Sequence, residues 1–145
     1  IAKKNILANN LNGKIILELA ALSVEDGSTK IDENYQHLRN DNNFNNLNVI
    51  GLFKEGTTIP TYSMKTLLSK YDVNEAVLKL DCEGCEYDII FNSDKETLRK
   101  FSHIIMEYHN GYLKLEEQLK KYGFHVKTKF VKHEDERGFL YATRE

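Results

Sequence analysis

The chain has 145 residues, 41% of them hydrophobic and 29% charged, a composition typical of one globular domain spanning 1–145. The net charge of -2 gives no overall field for nucleic acid, and no apolar run is long enough to cross a bilayer. We therefore expect neither nucleic-acid nor membrane partners. Two cysteines are too few for a disulfide framework, which favours a reducing, cytoplasmic environment.

The first third of the chain predicts a helix, a strand and a long loop. Helical spacing of apolar residues covers 2–10, an apolar run predicts a strand over 15–22, and a short strand follows near 28–31. Seven asparagines lie between positions 34 and 48, where they favour turns over regular backbone pairing. We predict a loop or insertion at about 34–58 and interpret it as a variable surface segment.

The rest of the chain alternates helices and strands. Ser63 is placed to cap a helix, and Ser93–Glu96 resembles a capping box that opens another helix, one that contains Leu98 and Phe101. Strands are predicted at 76–80, 103–108, 124–131 and 138–143, and further helices near 112–122 and through 87–91, the latter with Glu83 and Glu86 in its first turn. This order predicts an α/β layer with a mainly parallel sheet and an antiparallel final pair.

Acidic residues follow two of the predicted strands. Asp81, Glu83 and Glu86 come directly after the strand at 76–80. Glu107 lies at the end of the strand at 103–108, and His109 follows it. Ligands bind beyond the carboxyl ends of parallel strands, so we expect these two segments to lie within several ångströms of each other. Carboxylates and an imidazole there suit general acid/base chemistry or a divalent cation.

A structural interpretation competes with this functional one. Acidic side chains in the first turn of a helix are favoured by the helix dipole alone, and for Glu86 we favour that role. For Asp81 and Glu83 the two interpretations are balanced. Gly84 is interpreted as relieving crowding at a tight strand-to-helix turn.

Cys82 and Cys85 form a C-x-x-C sequence, which suits a redox pair or half of a zinc site. The neighbouring acidic residues oppose thiolate formation, and the sequence has no second C-x-x-C pair to complete a zinc site. We interpret both cysteines as small buried apolar residues, with a small thiol or metal protein as the distant alternative.

The segment Lys79-Leu-Asp81-Cys-Glu83-Gly-Cys-Glu86 resembles the Lys-x-Asp-x-Glu-Gly-x-Glu motif of FkbM-type methyltransferases. Weaker pieces of that family pattern appear in the right order along nearly the whole chain. They are Lys3-Lys-Asn-Ile6, Ala21-Leu-Ser23, Asp26-Gly27, Thr66-Leu67, Glu107 and His109.

This resemblance implies a Rossmann-like class I methyltransferase fold that transfers the methyl group of S-adenosylmethionine to an oxygen nucleophile of a small molecule or glycan. By the same resemblance, Asp81 and Glu83 face the methyl donor and acceptor, and Ala21 and Leu22 lie near the adenine. Asp81 is thus a residue of both the catalytic and the cofactor site. Asp81 or His109 is the candidate base, and no residue is assigned to a metal.

The chain departs from this family at its cofactor site. It contains neither the Gly-rich turn after a first strand nor the acidic residue that ends a second strand, and it opens without an initiator Met. We therefore expect the chain to be part of a longer protein. The chain itself is expected to lack the first two strands, to be inactive alone, and to bind S-adenosylmethionine weakly or not at all. The strand at 15–22 then has no neighbour and the strand at 76–80 becomes an open edge. The alternative is a non-catalytic, methyltransferase-like module that dimerises or binds a partner through those edges.

Overall fold

The computed structural model describes residues 1–31, 57–82, 84–129 and 137–144. The helices are α1 (Ala2–Ala8), α2 (Met64–Lys70), α3 (Cys85–Asn92), α4 (Lys95–Leu98) and α5 (Leu113–Lys121). The strands are β1 (Ala21–Ser23), β2 (Gly27–Ile31), β3 (Thr57–Ser63), β4 (Ala76–Leu80), β5 (Phe101–Tyr108), β6 (His125–Lys129) and β7 (Gly138–Thr143). The predicted insertion at 34–58 lies outside the described residues up to position 56, and its last two positions begin β3.

A three-stranded sheet has the order β1-β3-β2, with β1 parallel and β2 antiparallel to β3. Its central strand was not predicted, because Pro60 argues against a strand at that position. β1 pairs with β3 only from Thr61 to Ser63, so Pro60 is paired with β2 alone. A residue without an N–H group is tolerated there because one side of the strand makes no ladder bonds at that point.

The strand predicted over 15–22 is correct only at its end. β1 begins at Ala21, while Ile16 and Leu19 are 72% and 69% exposed. A strand forms only where another strand supplies hydrogen bonds, and among the described residues β3 supplies them from Ala21 onward. The expectation that this strand has no neighbour is therefore wrong for Ala21 and Leu22.

A four-stranded sheet has the order β4-β5-β7-β6. β4 and β5 are parallel, whereas β7 is antiparallel to both β5 and β6. The antiparallel final pair is confirmed, as is the edge position of β4 among the described strands. The predicted mainly parallel sheet is wrong for the described residues, because three of the five strand pairings in the two sheets are antiparallel.

One hydrophobic core joins the four-stranded sheet to its helices. Every second residue of β5 from Ile104 to Tyr108 is fully buried, as are Leu115 and Leu119 of α5. α3 adds Ile89 and Ile90 to the same cluster. This packing fixes the first turn of α3 beside the carboxyl ends of β4 and β5, where the candidate site lies.

Helix starts follow the sequence in one case and depart from it in another. The Ser63 side chain accepts a hydrogen bond from the Thr66 amide at 3.2 Å, so the predicted cap of α2 is confirmed. The cap of α4 is Asp94, which accepts from the Thr97 amide at 2.7 Å. Ser93 instead ends α3, and Phe101 belongs to β5. In the described part of the chain, no helix is both long enough and apolar enough to span a membrane.

Candidate functional site

The candidate site lies where β4 and β5 end side by side. Leu80, the last residue of β4, is in register with Met106 of β5. The residues that follow β4 therefore lie next to Glu107, Tyr108 and His109. The prediction that the two acidic segments meet is confirmed, although the residue that makes the contact is Glu86.

Glu86 and His109 form a buried pair. The Glu86 side chain is fully buried, the His109 side chain is 9% exposed, and Glu86 Oε1 lies 2.5 Å from His109 Nδ1. The other carboxylate oxygen, Oε2, accepts a hydrogen bond from the Gly84 amide at 2.9 Å. The Oε1–Nδ1 contact is a hydrogen bond that holds the imidazole ring in one orientation. The other ring nitrogen, Nε2, is itself buried.

The sequence favoured a helix-dipole role for Glu86 and placed its segment near that of His109 without pairing the two residues. Its position in the first turn of α3 agrees with that role. The side chain, however, turns back toward the amide of the N-cap residue, as in a capping box, and its far oxygen meets the imidazole. Two residues 23 positions apart cannot be paired by local spacing, so only the sheet register reveals the contact.

Gly84 allows the chain to turn from β4 into α3. It is the N-cap of α3 with φ of +115°, a backbone conformation that residues with a side chain rarely adopt. A Cβ atom placed there would meet no atom within 4 Å. The glycine is therefore required by backbone conformation, and the sequence-based explanation from crowding is wrong.

Tyr87 anchors the loop that follows β5. Its hydroxyl donates to the Gly111 carbonyl and accepts from the Asn110 amide, each at 2.7 Å. Burial raises the pKa of the Tyr87 phenol above its ordinary value of 10.0, and the charge on Glu86 acts in the same direction. The phenol therefore stays protonated at neutral pH and holds the loop that carries His109.

Cys82 and Cys85 are joined by a disulfide bond. Both residues are half-buried, and Cys82 Sγ lies 3.4 Å from Glu86 Oε2. The interpretation of the two cysteines as separate apolar residues is therefore wrong. The disulfide also removes the argument that reduced cysteines gave for a cytoplasmic location.

A sequence model of the methyltransferase FkbM domain matches residues 3–126, most of the chain. The chain belongs to the FkbM methyltransferase family. This confirms the resemblance that the motif after β4 indicated. The matched segment runs from α1 into β6 and so contains both segments of the candidate site. No curated protein and no solved structure matches the chain.

The other predicted catalytic residues of this FkbM domain have different surroundings. The Asp81 side chain is 44% exposed and pairs with Lys79 at 3.0 Å. Glu107 is 20% exposed in its side chain and lies 3.8 Å from the Arg137 guanidinium. Glu83 lies outside the described residues. A catalytic role for Asp81, Glu83 and His109 stays a prediction.

The residues expected near the cofactor lie in different sheets. Ala21 and Leu22 are half-buried in β1 and pair with Thr61 and Tyr62 of β3. Asp81 follows β4, which belongs to the four-stranded sheet. Among the described strands, β4 and β1 are therefore not joined by backbone hydrogen bonds within one sheet. Leu22 packs against the hydrophobic core, which links its strand to the core beneath the site.

A cleft of about 170 Å³ lies away from the Glu86–His109 pair. Its lining includes Ser23, Ser63, Asp88 and Asn92, so it borders the ends of β1 and β3 and the far end of α3. Pockets that enclose small molecules are commonly about 300 Å³ or larger, so we do not assign the cofactor to this cleft. In the described ranges, no three His, Cys, Asp or Glu side chains group as metal ligands would.

Proposed function

We propose that this domain takes part in S-adenosylmethionine-dependent methyl transfer to an oxygen nucleophile of a small molecule or glycan. The observation that carries the proposal is the buried Glu86–His109 pair at the ends of parallel strands, within a domain of the FkbM family. A buried carboxylate and imidazole contribute little to stability compared with apolar packing, so their presence at a strand end favours a chemical role.

The residues of the site would act on the acceptor and its proton. S-adenosylmethionine supplies a methyl group bonded to a positively charged sulfur. The acceptor hydroxyl would have to lose its proton as its oxygen took up that methyl group. His109 is the base that accepts this proton in our proposal, and Glu86 stabilises the imidazolium that results.

The described residues fit the cofactor in part. The exposed carboxylate of Asp81 suits the amino group or hydroxyl groups of S-adenosylmethionine, and its pairing with Lys79 is no obstacle because exposed ion pairs are weak. Ala21 and Leu22 offer a half-buried apolar surface of the kind an adenine ring contacts. The sequence has no Gly-rich turn for the amino-acid end of S-adenosylmethionine. We therefore propose that these 145 residues alone bind the cofactor weakly.

The test is a titration of the ¹⁵N-labelled chain with S-adenosylmethionine, followed residue by residue by NMR. We expect saturable shift changes at Ala21, Leu22 and Asp81, with a dissociation constant weaker than micromolar. The amides of β6 serve as an internal control. Saturable binding elsewhere, or no saturable change, would refute the cofactor assignment, and micromolar binding would refute the claim of an incomplete site.

A second candidate function is a non-catalytic module that pairs with another copy. β4 is an edge strand of its sheet among the described residues, and Val77 is 61% exposed on it. Exposed edge strands are templates for pairing with a further strand. Light scattering on the chain at increasing concentration would then show a dimer that Val77→Lys weakens, while Leu113→Lys, at a residue 49% exposed on α5, leaves it intact. A monomer at every concentration would exclude this function.

A further inference from the structure

The Cys82–Cys85 disulfide touches the same carboxylate that contacts His109. Glu86 Oε2 lies 3.4 Å from Cys82 Sγ and accepts from the Gly84 amide, while Glu86 Oε1 lies 2.5 Å from His109 Nδ1. We propose that Cys82 and Cys85 are a reversible thiol–disulfide site, reduced by a dithiol, whose state is transmitted through Glu86 to His109. The coupling to catalysis rests on the proposed function, whereas the redox site and its effect on His109 do not.

The bridge constrains the turn between β4 and α3. It holds the Cα atoms of Cys82 and Cys85 at 5.4 Å and encloses Gly84, whose amide reaches Glu86. Two thiol sulfurs cannot stay at bonding distance, so reduction removes the covalent constraint on this turn. The amide of Gly84 then no longer has a fixed position relative to the carboxylate.

Reduction also changes which groups can donate to Glu86. A disulfide sulfur has no proton, so at present the 3.4 Å contact is not a hydrogen bond from sulfur. After reduction the Cys82 thiol carries a proton and becomes a donor at the same distance from the carboxylate. This donor competes for the carboxylate with the Gly84 amide and the His109 imidazole.

The two sulfurs differ in how well they carry negative charge. Cys85 is the first residue of α3, where the helix dipole favours an anion, whereas Cys82 faces the Glu86 carboxylate. We therefore expect the dithiol to attack Cys82, with the electron pair of the broken S–S bond going to Cys85. The second thiol of the reagent then displaces Cys82, so the reagent leaves as a cyclic disulfide and both cysteines are protonated.

The experiment compares the oxidised chain with the chain reduced by dithiothreitol at one fixed pH. Alkylation and mass spectrometry count the free thiols, and we expect none before reduction and two after it. Long-range ¹H–¹⁵N NMR then reports the His109 ring nitrogens, whose signals we expect to move on reduction. Hydrogen exchange of the Gly84 amide should accelerate about tenfold, as expected when a hydrogen bond to a charged group is lost.

The controls separate this coupling from a general change in the chain. His103 and His125 lie on exposed positions of β5 and β6, so their ring signals should not move. The double variant Cys82→Ser, Cys85→Ser should give the reduced-state His109 signals whether or not dithiothreitol is present. Two free thiols in the air-oxidised chain would overturn the proposal, and so would unchanged His109 signals after complete reduction. None of these measurements needs S-adenosylmethionine, so a failed cofactor titration leaves their outcome unaffected.

Discussion

Two carboxylates organise the starts of two helices, one in each half of the molecule. Asp26, in the turn before β2, accepts hydrogen bonds from the Ser63 amide at 2.7 Å and the Thr66 hydroxyl at 2.6 Å, where α2 begins. Glu86 accepts from the Gly84 amide at the start of α3 and contacts His109. The arrangements are alike in chemistry, but Asp26 is exposed and Glu86 is fully buried.

The difference in burial separates a structural contact from a functional candidate. An exposed carboxylate that loses its partners regains water, so its contacts have a limited effect on folding. A buried carboxylate cannot do so, and a buried charged pair is often no more stabilising than apolar residues of the same size. The Asp26 contact is explained by the turn that it fixes, whereas the Glu86–His109 pair needs a further reason, which a role in proton transfer supplies.

The largest effect should come from Glu86→Ala. Removing this side chain takes a hydrogen-bond partner from the Gly84 amide and from His109 Nδ1 and leaves an empty space in the core. We expect the free energy of unfolding to fall by about 3 kcal/mol or more, measured by denaturant titration.

The matched control is Glu116→Ala. Glu116 is also in the first turn of a helix, but its side chain is 23% exposed and pairs with the exposed Lys120, so we expect a change of about 0.5 kcal/mol or less. Glu86→Gln, which keeps the volume and one acceptor, should restore part of the loss. Equal effects of the two alanine substitutions would show that the Glu86–His109 pair is not buried as described.

A smaller effect is expected from Gly84→Ala. Alanine at φ of +115° is strained, so we expect a loss of about 2 kcal/mol in the free energy of unfolding. Gly27→Ala is the control in the other half, because Gly27 has ordinary backbone angles and a Cβ would lie 3.4 Å from Thr61 Oγ1. That variant should stay within about 0.5 kcal/mol of the wild type in denaturant unfolding. A loss at Gly27 as large as at Gly84 would contradict the backbone explanation.

Much of the four-stranded half could be predicted from the sequence. β4 has the predicted bounds, and the helix predicted near 112–122 is α5, which Gly123 follows shortly after with φ of +92°. Local patterns suffice there because each element has a strong apolar period of its own. The motif after β4 also indicated the family.

The three-stranded half was predicted less well, because its strands depend on distant partners. β1 is three residues long and is defined by pairing with β3, about 40 positions away, and Pro60 concealed β3 itself. In the site, the sequence placed the segments of Glu86 and His109 together without pairing the two residues, and the apolar interpretation of Cys82 and Cys85 was preferred to a redox pair. Spacing shows which residues are near each other in the chain. Whether a carboxylate or a thiol is solvated or paired depends on its burial in the fold.

The smallest effect should be that of Asp26→Asn, and it should depend on pH. Hydrogen bonds from the Ser63 amide, and secondarily from the Thr66 hydroxyl, hold the pKa of Asp26 below its ordinary value of 3.8. Because the folded-state pKa is lower than the unfolded one, the carboxylate stabilises the fold above the unfolded pKa and loses this effect as pH falls through the folded pKa. The wild type should therefore unfold at higher denaturant concentration than Asp26→Asn at pH 6, and the difference should shrink toward pH 2. A difference that stays constant with pH would mean that the ionised carboxylate is not what joins the β2 turn to α2.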